Sequence, residues 1–222
     1  MGLAIAKVLR WPRLRLTAVP IMAFALSYGT PALASSADVV RAIKATSNVE
    51  AAFVHRFTPK GFRHEQVEQG VVLFGELPKM RWTYEDPEEK IFVFDGSTSW
   101  FYIPDDKQVT IHSLSQEERS ELPFVVLGDE QSVAINYRVS SQQNDRGTLL
   151  VLDPVTPGAM LRSIEIEVDA RHGWIRRLSY ADREGNRTVF EVTGQRRVEP
   201  LRDSFRFDPP EGVDIIDDQE RD

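Results

Sequence analysis

The chain has 222 residues, with 27 Lys and Arg against 34 Asp and Glu, a formal net charge of −7, and no cysteine. The missing cysteine excludes disulfides, thiol catalysis, cysteine-ligated metals and an N-terminal lipid-modified cysteine. The acidic balance is a poor match for nucleic acid or anionic lipid surfaces, which recruit clustered Lys and Arg.

Residues 1–34 read as a cleavable signal peptide. Lys7, Arg10, Arg13 and Arg15 form a basic start without an acidic residue, Leu16–Tyr28 is an apolar run interrupted by Pro20, and Ala32-Leu33-Ala34 is an A-x-A site before Ser35. The apolar run is short for a bilayer span. Removing this segment takes the net charge to −11 (−7 − 4). The remaining residues, 35–222, have the length of a single domain and are expected to be exported in soluble form.

Ser36–Ser47 predicts a helix, with Ser36 as cap and Val39, Val40 and Ile43 as an apolar stripe against Arg41 and Lys44. Val49–Phe57 predicts a strand with Val49, Ala51, Phe53, His55 and Phe57 on one face, paired with Gln66–Phe74 across Pro59-Lys60-Gly61. Short β-branched and aromatic runs follow at Met80–Tyr84, Ile91–Phe94, Trp100–Ile103 and Val109–Ile111. Leu77-Pro78, Asp86-Pro87, Asp95-Gly96 and Pro104-Asp105-Asp106 separate them, as in an antiparallel meander. Met80, Trp82 and Tyr84 alternate with Arg81 and Thr83, as one wet face requires. Ile91–Phe94 and Trp100–Ile103 do not alternate. With Phe92, Phe94, Trp100 and Phe101 on both faces, the sheet must be covered twice or hold something apolar on one side.

Ser115-Gln116-Glu117-Glu118 fits a capping box opening a short acidic helical turn. Leu122–Gly128 then reads as a short helix, with Pro123 in its first turn and Gly128 as its stop. It is apolar all round, so it must insert into something, either as a plug for the core or as a lid over a cavity. Strands resume at Ile135–Val139, Thr148–Leu152, Ser163–Val168, Ile175–Tyr180 and Thr188–Val192. Phe205–Phe207 forms a last edge segment, and residues 214–222 are expected to fray. The order predicts an α+β, mostly β fold: a strongly curved antiparallel sheet, an incomplete β-barrel, with short helices covering its concave side.

Catalytic chemistry has little basis. His55, His64, His112 and His172 sit on separate segments, and no G-x-S-x-G or phosphate-binding glycine loop occurs. Asp105-Asp106 and Glu117-Glu118 read as solvated faces. No enzyme activity, metal or cofactor is expected.

The run Met80-Arg81-Trp82-Thr83-Tyr84, then Phe92-Val93-Phe94-Asp95-Gly96, then Trp100-Phe101-Tyr102-Ile103-Pro104 with Gln108-Val109 resembles the LolA family of periplasmic outer-membrane lipoprotein carriers. Leu122–Gly128 looks like that family's lid, and Phe205–Val213 like its C-terminal signature. The resemblance implies an apolar cavity for lipoprotein acyl chains, with Phe53, Met80, Trp82, Phe92, Phe94 and Phe101 as its lining and Phe124, Val125, Val126 and Leu127 as its lid. It further implies a monomer in the periplasm that receives cargo from an inner-membrane ABC transporter and delivers it to an outer-membrane acceptor. Two positions depart from the family pattern: Leu77 stands where an Arg often ties the lid to the sheet, and His55 where a Gln is common. These departures keep a second reading open, a carrier or sensor of another amphiphile such as a glycolipid.

Overall fold

The computed structural model describes residues 32–116, 119, 123–156 and 161–217. Its helices are α1 (Ser36–Ala45), α2 (Pro123–Gly128) and α3 (Glu130–Asn136). The strands before the α2–α3 insertion are β1 (Ala32–Leu33), β2 (Val49–Thr58), β3 (Gln66–Phe74), β4 (Met80–Asp86), β5 (Lys90–Phe94), β6 (Thr98–Ile103) and β7 (Gln108–Ser113). Those after it are β8 (Tyr137–Asn144), β9 (Gly147–Pro154), β10 (Leu161–Asp169), β11 (Ile175–Asp182), β12 (Arg187–Arg197) and β13 (Asp214–Asp217).

Among the described residues all strands join one sheet, in the order β1-β8-β9-β10-β11-β12-β2-β3-β4-β5-β6-β7-β13. Two meanders, β2–β7 and β8–β12, are sutured by the β12–β2 pair, which runs from Arg187↔Thr58 to Arg197↔Val49. The two outer strands do not meet, so the sheet is an open, curved barrel fragment.

The helices cover the β8–β11 half. Val39, Ala42 and Ile43 of α1, Leu127 of α2 and Val133 of α3 form one buried cluster with Leu150, Leu152, Ile164, Ile166 and Leu178. Thr46 fastens α1 to the sheet: its hydroxyl donates to the Ala42 carbonyl at 3.0 Å and accepts the Ile175 N–H at 3.1 Å. A second cluster, with Phe53, Val72, Phe74, Met80, Trp82 and Phe94, occupies the concave side of β2–β5.

The doubly apolar strands have a plain explanation on their outer face. Val93 and Val109 are buried there under Phe207, flanked by Trp100, Tyr102 and Val213. Phe207 lies 5.3 Å from the Tyr102 ring. The C-terminal segment therefore covers the convex side, and only the concave side is left for a cavity.

The structure corrects several boundaries. Phe205–Phe207 is turn and coil, not an edge strand, while Asp214–Asp217, expected to fray, pairs in parallel with β7. Backbone hydrogen bonding at an open edge needs no apolar pattern, and Ile215 stays 57% exposed. Ile135 belongs to α3, whose cap Asp129 accepts the Ser132 N–H at 2.7 Å, and β8 begins at Tyr137. The cap of α1 is Ser35, whose N–H and hydroxyl both donate to the Asp38 carboxylate at 2.9 Å. The capping box at Ser115–Glu118 and the start of the Leu122 segment fall largely outside the described residues. Ala32 and Leu33, just before the expected cleavage point, pair with Ser141 and Ser140 of β8.

Candidate apolar binding cavity

A period of two along a strand puts Met80 and Trp82 on one face of β4. The register sets Met80 beside Phe94 and Trp82 beside Phe92 on β5, and continues through Ser99 of β6 to His112 of β7. These side chains line a cavity of about 410 Å³ on the concave face. Tyr180 of β11 and Phe190 of β12 close it from the other meander, and Leu114 and Val125 close it from the side of α2. The lining is almost wholly apolar, and its size falls within the roughly 300–1,000 Å³ of small-molecule sites.

Trp82 is the wall of this space. Its ring meets Phe53 edge-on at 4.8 Å, Phe74 edge-on at 5.7 Å and Phe190 at 4.9 Å. Trp82 and Phe190 also line a narrow gap behind them, between the sheet and Ile43 of α1. On the opposite side, Val125 lines both the cavity and an outer cleft bordered by Pro78, Gly96, Arg119 and Val126. α2 therefore stands between the cavity and solvent.

The expected lining is partly brought together. Met80, Trp82, Phe92 and Phe94 line the cavity. Phe53 does not; it sits behind Trp82 as its buried support. Phe101 pairs with Phe92, which puts it on the concave face, but it lies at the open margin with 36% exposure and outside the lining. Of the expected lid, Val125 faces the cavity and Val126 the outer cleft. Leu127 is fully buried against α1 and the β8–β11 half, so it is core and not cavity cover. The Phe124 side chain lies outside the described residues. Sequence reasoning missed Tyr180 and Phe190, which reach the cavity only because β12 pairs with β2.

The concave face turns polar one residue pair further along each strand. His55 stacks on Phe190 at 4.4 Å, and its Nδ1 lies 3.2 Å from the Glu68 carboxylate. Lys90, opposite Tyr84, donates to Glu68 at 2.5 Å and lies 3.4 Å from Glu88. Burial holds the His55 imidazole below its ordinary pKa, despite the opposing pull of Glu68. Burial, aided by Glu68, pushes the Tyr84 phenol up, and the hydrogen bond to Glu68 raises the Lys90 ammonium. Among the described residues, no group of three or more His, Asp or Glu converges to hold a metal ion.

The segment leading into α2 is tied down without an arginine at position 77. Leu77 packs against the helix cluster that contains Ile43 and Leu127. The Arg119 guanidinium donates to the Gly96 carbonyl at 3.4 Å and ties the segment before α2 to the β5–β6 turn. Arg81 is no substitute latch, since it pairs with Leu73 and Val93 on the convex face.

The family model for the outer membrane lipoprotein carrier protein LolA matches residues 44–208. The chain belongs to this family. It is similar to the outer-membrane lipoprotein carrier proteins of Aliivibrio fischeri and Salmonella paratyphi A. The first is 30% identical over 183 residues, spanning 81% of this chain and 88% of that one. The second is 30% identical over 208 residues, spanning 90% and 98%. The carrier of Xanthomonas axonopodis pv. citri is 27% identical over 201 residues, spanning 89% and 95%. An uncharacterized conserved protein from Thermus thermophilus shares the fold, with a TM-score of 0.53 at 14% identity over 82% of this chain and 97% of that one. LolA proteins are carriers, not enzymes. Among the described residues no helix is long and apolar enough to cross a membrane.

Proposed function

We propose that this member of the LolA family is a periplasmic carrier that holds the acyl chains of lipoproteins between β4, β5 and α2. In this reading it takes cargo from an inner-membrane ABC transporter and passes it to an outer-membrane acceptor. The observation that carries the proposal is the apolar cavity of about 410 Å³ beneath Val125, found in a chain of this family.

The energetics suit a carrier. Burying a methylene is worth roughly 0.8 kcal/mol, so a dozen supply on the order of 10 kcal/mol. Cargo held that firmly leaves only if something else takes its surface. Val125 on α2 supplies that competitor, because opening the lid for a chain exposes it and closing the lid reburies it.

Two experiments test the reading. Mass spectrometry of ligands purified with the protein from a native host should find lipidated peptide, whereas a free glycolipid would replace lipoprotein with another amphiphile as cargo. A photocrosslinker at Trp82 should capture cargo and one at Arg81 should not. Equal capture from both positions would remove the cavity from the mechanism.

A further inference from the structure

One rim of the sheet carries side chains that the cavity does not use. At the tip between β2 and β3, Phe62 is 68% exposed, between exposed Lys60 and Arg63. The β11–β12 turn is fastened beside it, since the Lys60 N–H donates to Asn186 Oδ1 at 3.0 Å and Arg187 pairs with Thr58. That turn adds exposed Arg183 and Arg187, and Arg162 of β10 donates to the Arg183 carbonyl at 2.8 Å.

Exposed Glu184 stands in the β11–β12 turn beside Arg183, so the cations of this rim outnumber but do not exclude carboxylates, and two further acids nearby are turned elsewhere. Glu65 lies 3.6 Å from Arg56, and Asp182 accepts the Gly185 and Asn186 N–H groups of its own turn at 2.8 Å. Exposed Glu85, Asp86, Glu88 and Glu89 gather instead on the next turn, β4–β5. Exposed Ile135 and Val155 lie on the same rim, where the Val155 N–H meets the Asn136 carbonyl at 2.8 Å.

An exposed phenylalanine among clustered cations, on a chain of net charge −7, is complementary to a surface that offers both phosphate oxygens and hydrocarbon. We propose that this rim docks on a bilayer of anionic lipids, with Phe62 entering the headgroup region and Lys60, Arg63, Arg183 and Arg187 meeting the phosphates. The attachment is shallow and reversible, because one ring and a few screened charges carry it. The proposal rests on the surface alone and holds whatever cargo the cavity takes. It also revises the expectation drawn from composition, since the acidic total averages over charges that the fold separates.

The absence of cysteine makes the test direct. An environment-sensitive dye on Phe62→Cys should shift to the blue with vesicles of phosphatidylglycerol and phosphatidylethanolamine at low salt, and not with phosphatidylcholine alone. The same dye on Leu201→Cys should not respond. Leu201 is 80% exposed but follows β12 at the opposite end of the sheet. Each cation near an anionic surface changes partitioning about fivefold. Arg63→Glu combined with Arg183→Glu should therefore lower vesicle binding by about twentyfold or more, with an unchanged melting curve. No shift at position 62, an equal shift at 201, or equal binding to neutral vesicles would overturn the proposal. It would also fall if the rim engaged only a protein partner, because vesicles would then give no signal.

Discussion

Placing an aspartate at Val125 or at Leu127 should have opposite consequences, although the two residues are neighbours on one short helix. Leu127 is 0% exposed and packs among Val39, Ile43, Val133 and Leu150. Truncating such a leucine to alanine costs about 2–5 kcal/mol. An unpaired carboxylate there costs more, against a total stability of roughly 5–15 kcal/mol for a domain. At about 2–4 °C per kcal/mol for a domain of this size, Leu127→Asp should lower the melting temperature by on the order of 10 °C or abolish the transition. Val125 is half-buried and borders the cavity and the outer cleft, where water can reach a carboxylate. Val125→Asp should melt within a few degrees of the parent. Because it removes the apolar competitor for the cavity, it should impair cargo release. Melting followed by circular dichroism, beside an assay of lipoprotein transfer to an acceptor, separates the two. A normal melt for Leu127→Asp, or a lost transition for Val125→Asp, would refute this division of α2.

Three further outcomes follow from particular contacts. Because the folded-state pKa of His55 is lowered, the unfolded chain takes up that proton first on acidification. The stability tied to this group is therefore full above the unfolded value of roughly 6.5 and is lost as pH falls below it, down through the folded value. His55→Gln should make the fall in melting temperature between pH 7 and 5 shallower, and parallel curves would contradict the argument. A methyl group on Gly70 would sit 1.9 Å from the Thr83 carbonyl oxygen, so Gly70→Ala should destabilise by about 1–3 kcal/mol or more in urea titration. Signal-peptide processing after Ala34 should appear by N-terminal sequencing of the exported protein. It should change the melting temperature little, because among the described residues it removes the two-residue β1 from the sheet edge and the small Ala34 from the margin of the helix cluster, while Ser35 and Asp38 still close the start of α1.

Much of this molecule is legible in residue order. The period of two on Met80, Trp82 and Tyr84, the turn chemistry between the strands and the doubly apolar Ile91–Phe94 run depend only on neighbours in the chain. They announce an antiparallel meander that is either covered on both faces or holds something apolar on one; the order of elements adds the curvature, and the family resemblance puts the apolar face inward. What tertiary structure alone decided is which distant surfaces meet. Phe190 becomes a cavity wall because β12 pairs with β2 in one register, a choice set by the burial of both strands and not by either strand's own pattern. The faces of α2 had no polar marker, so packing alone made Leu127 core and Val125 cover. Asp214–Asp217 gave no strand signal, since its two isoleucines are adjacent rather than alternating and its pairing uses backbone groups at an open edge. The basic rim around Phe62 was hidden for the same reason: its cations come from separate hairpins, and only the closing of the sheet sets them side by side.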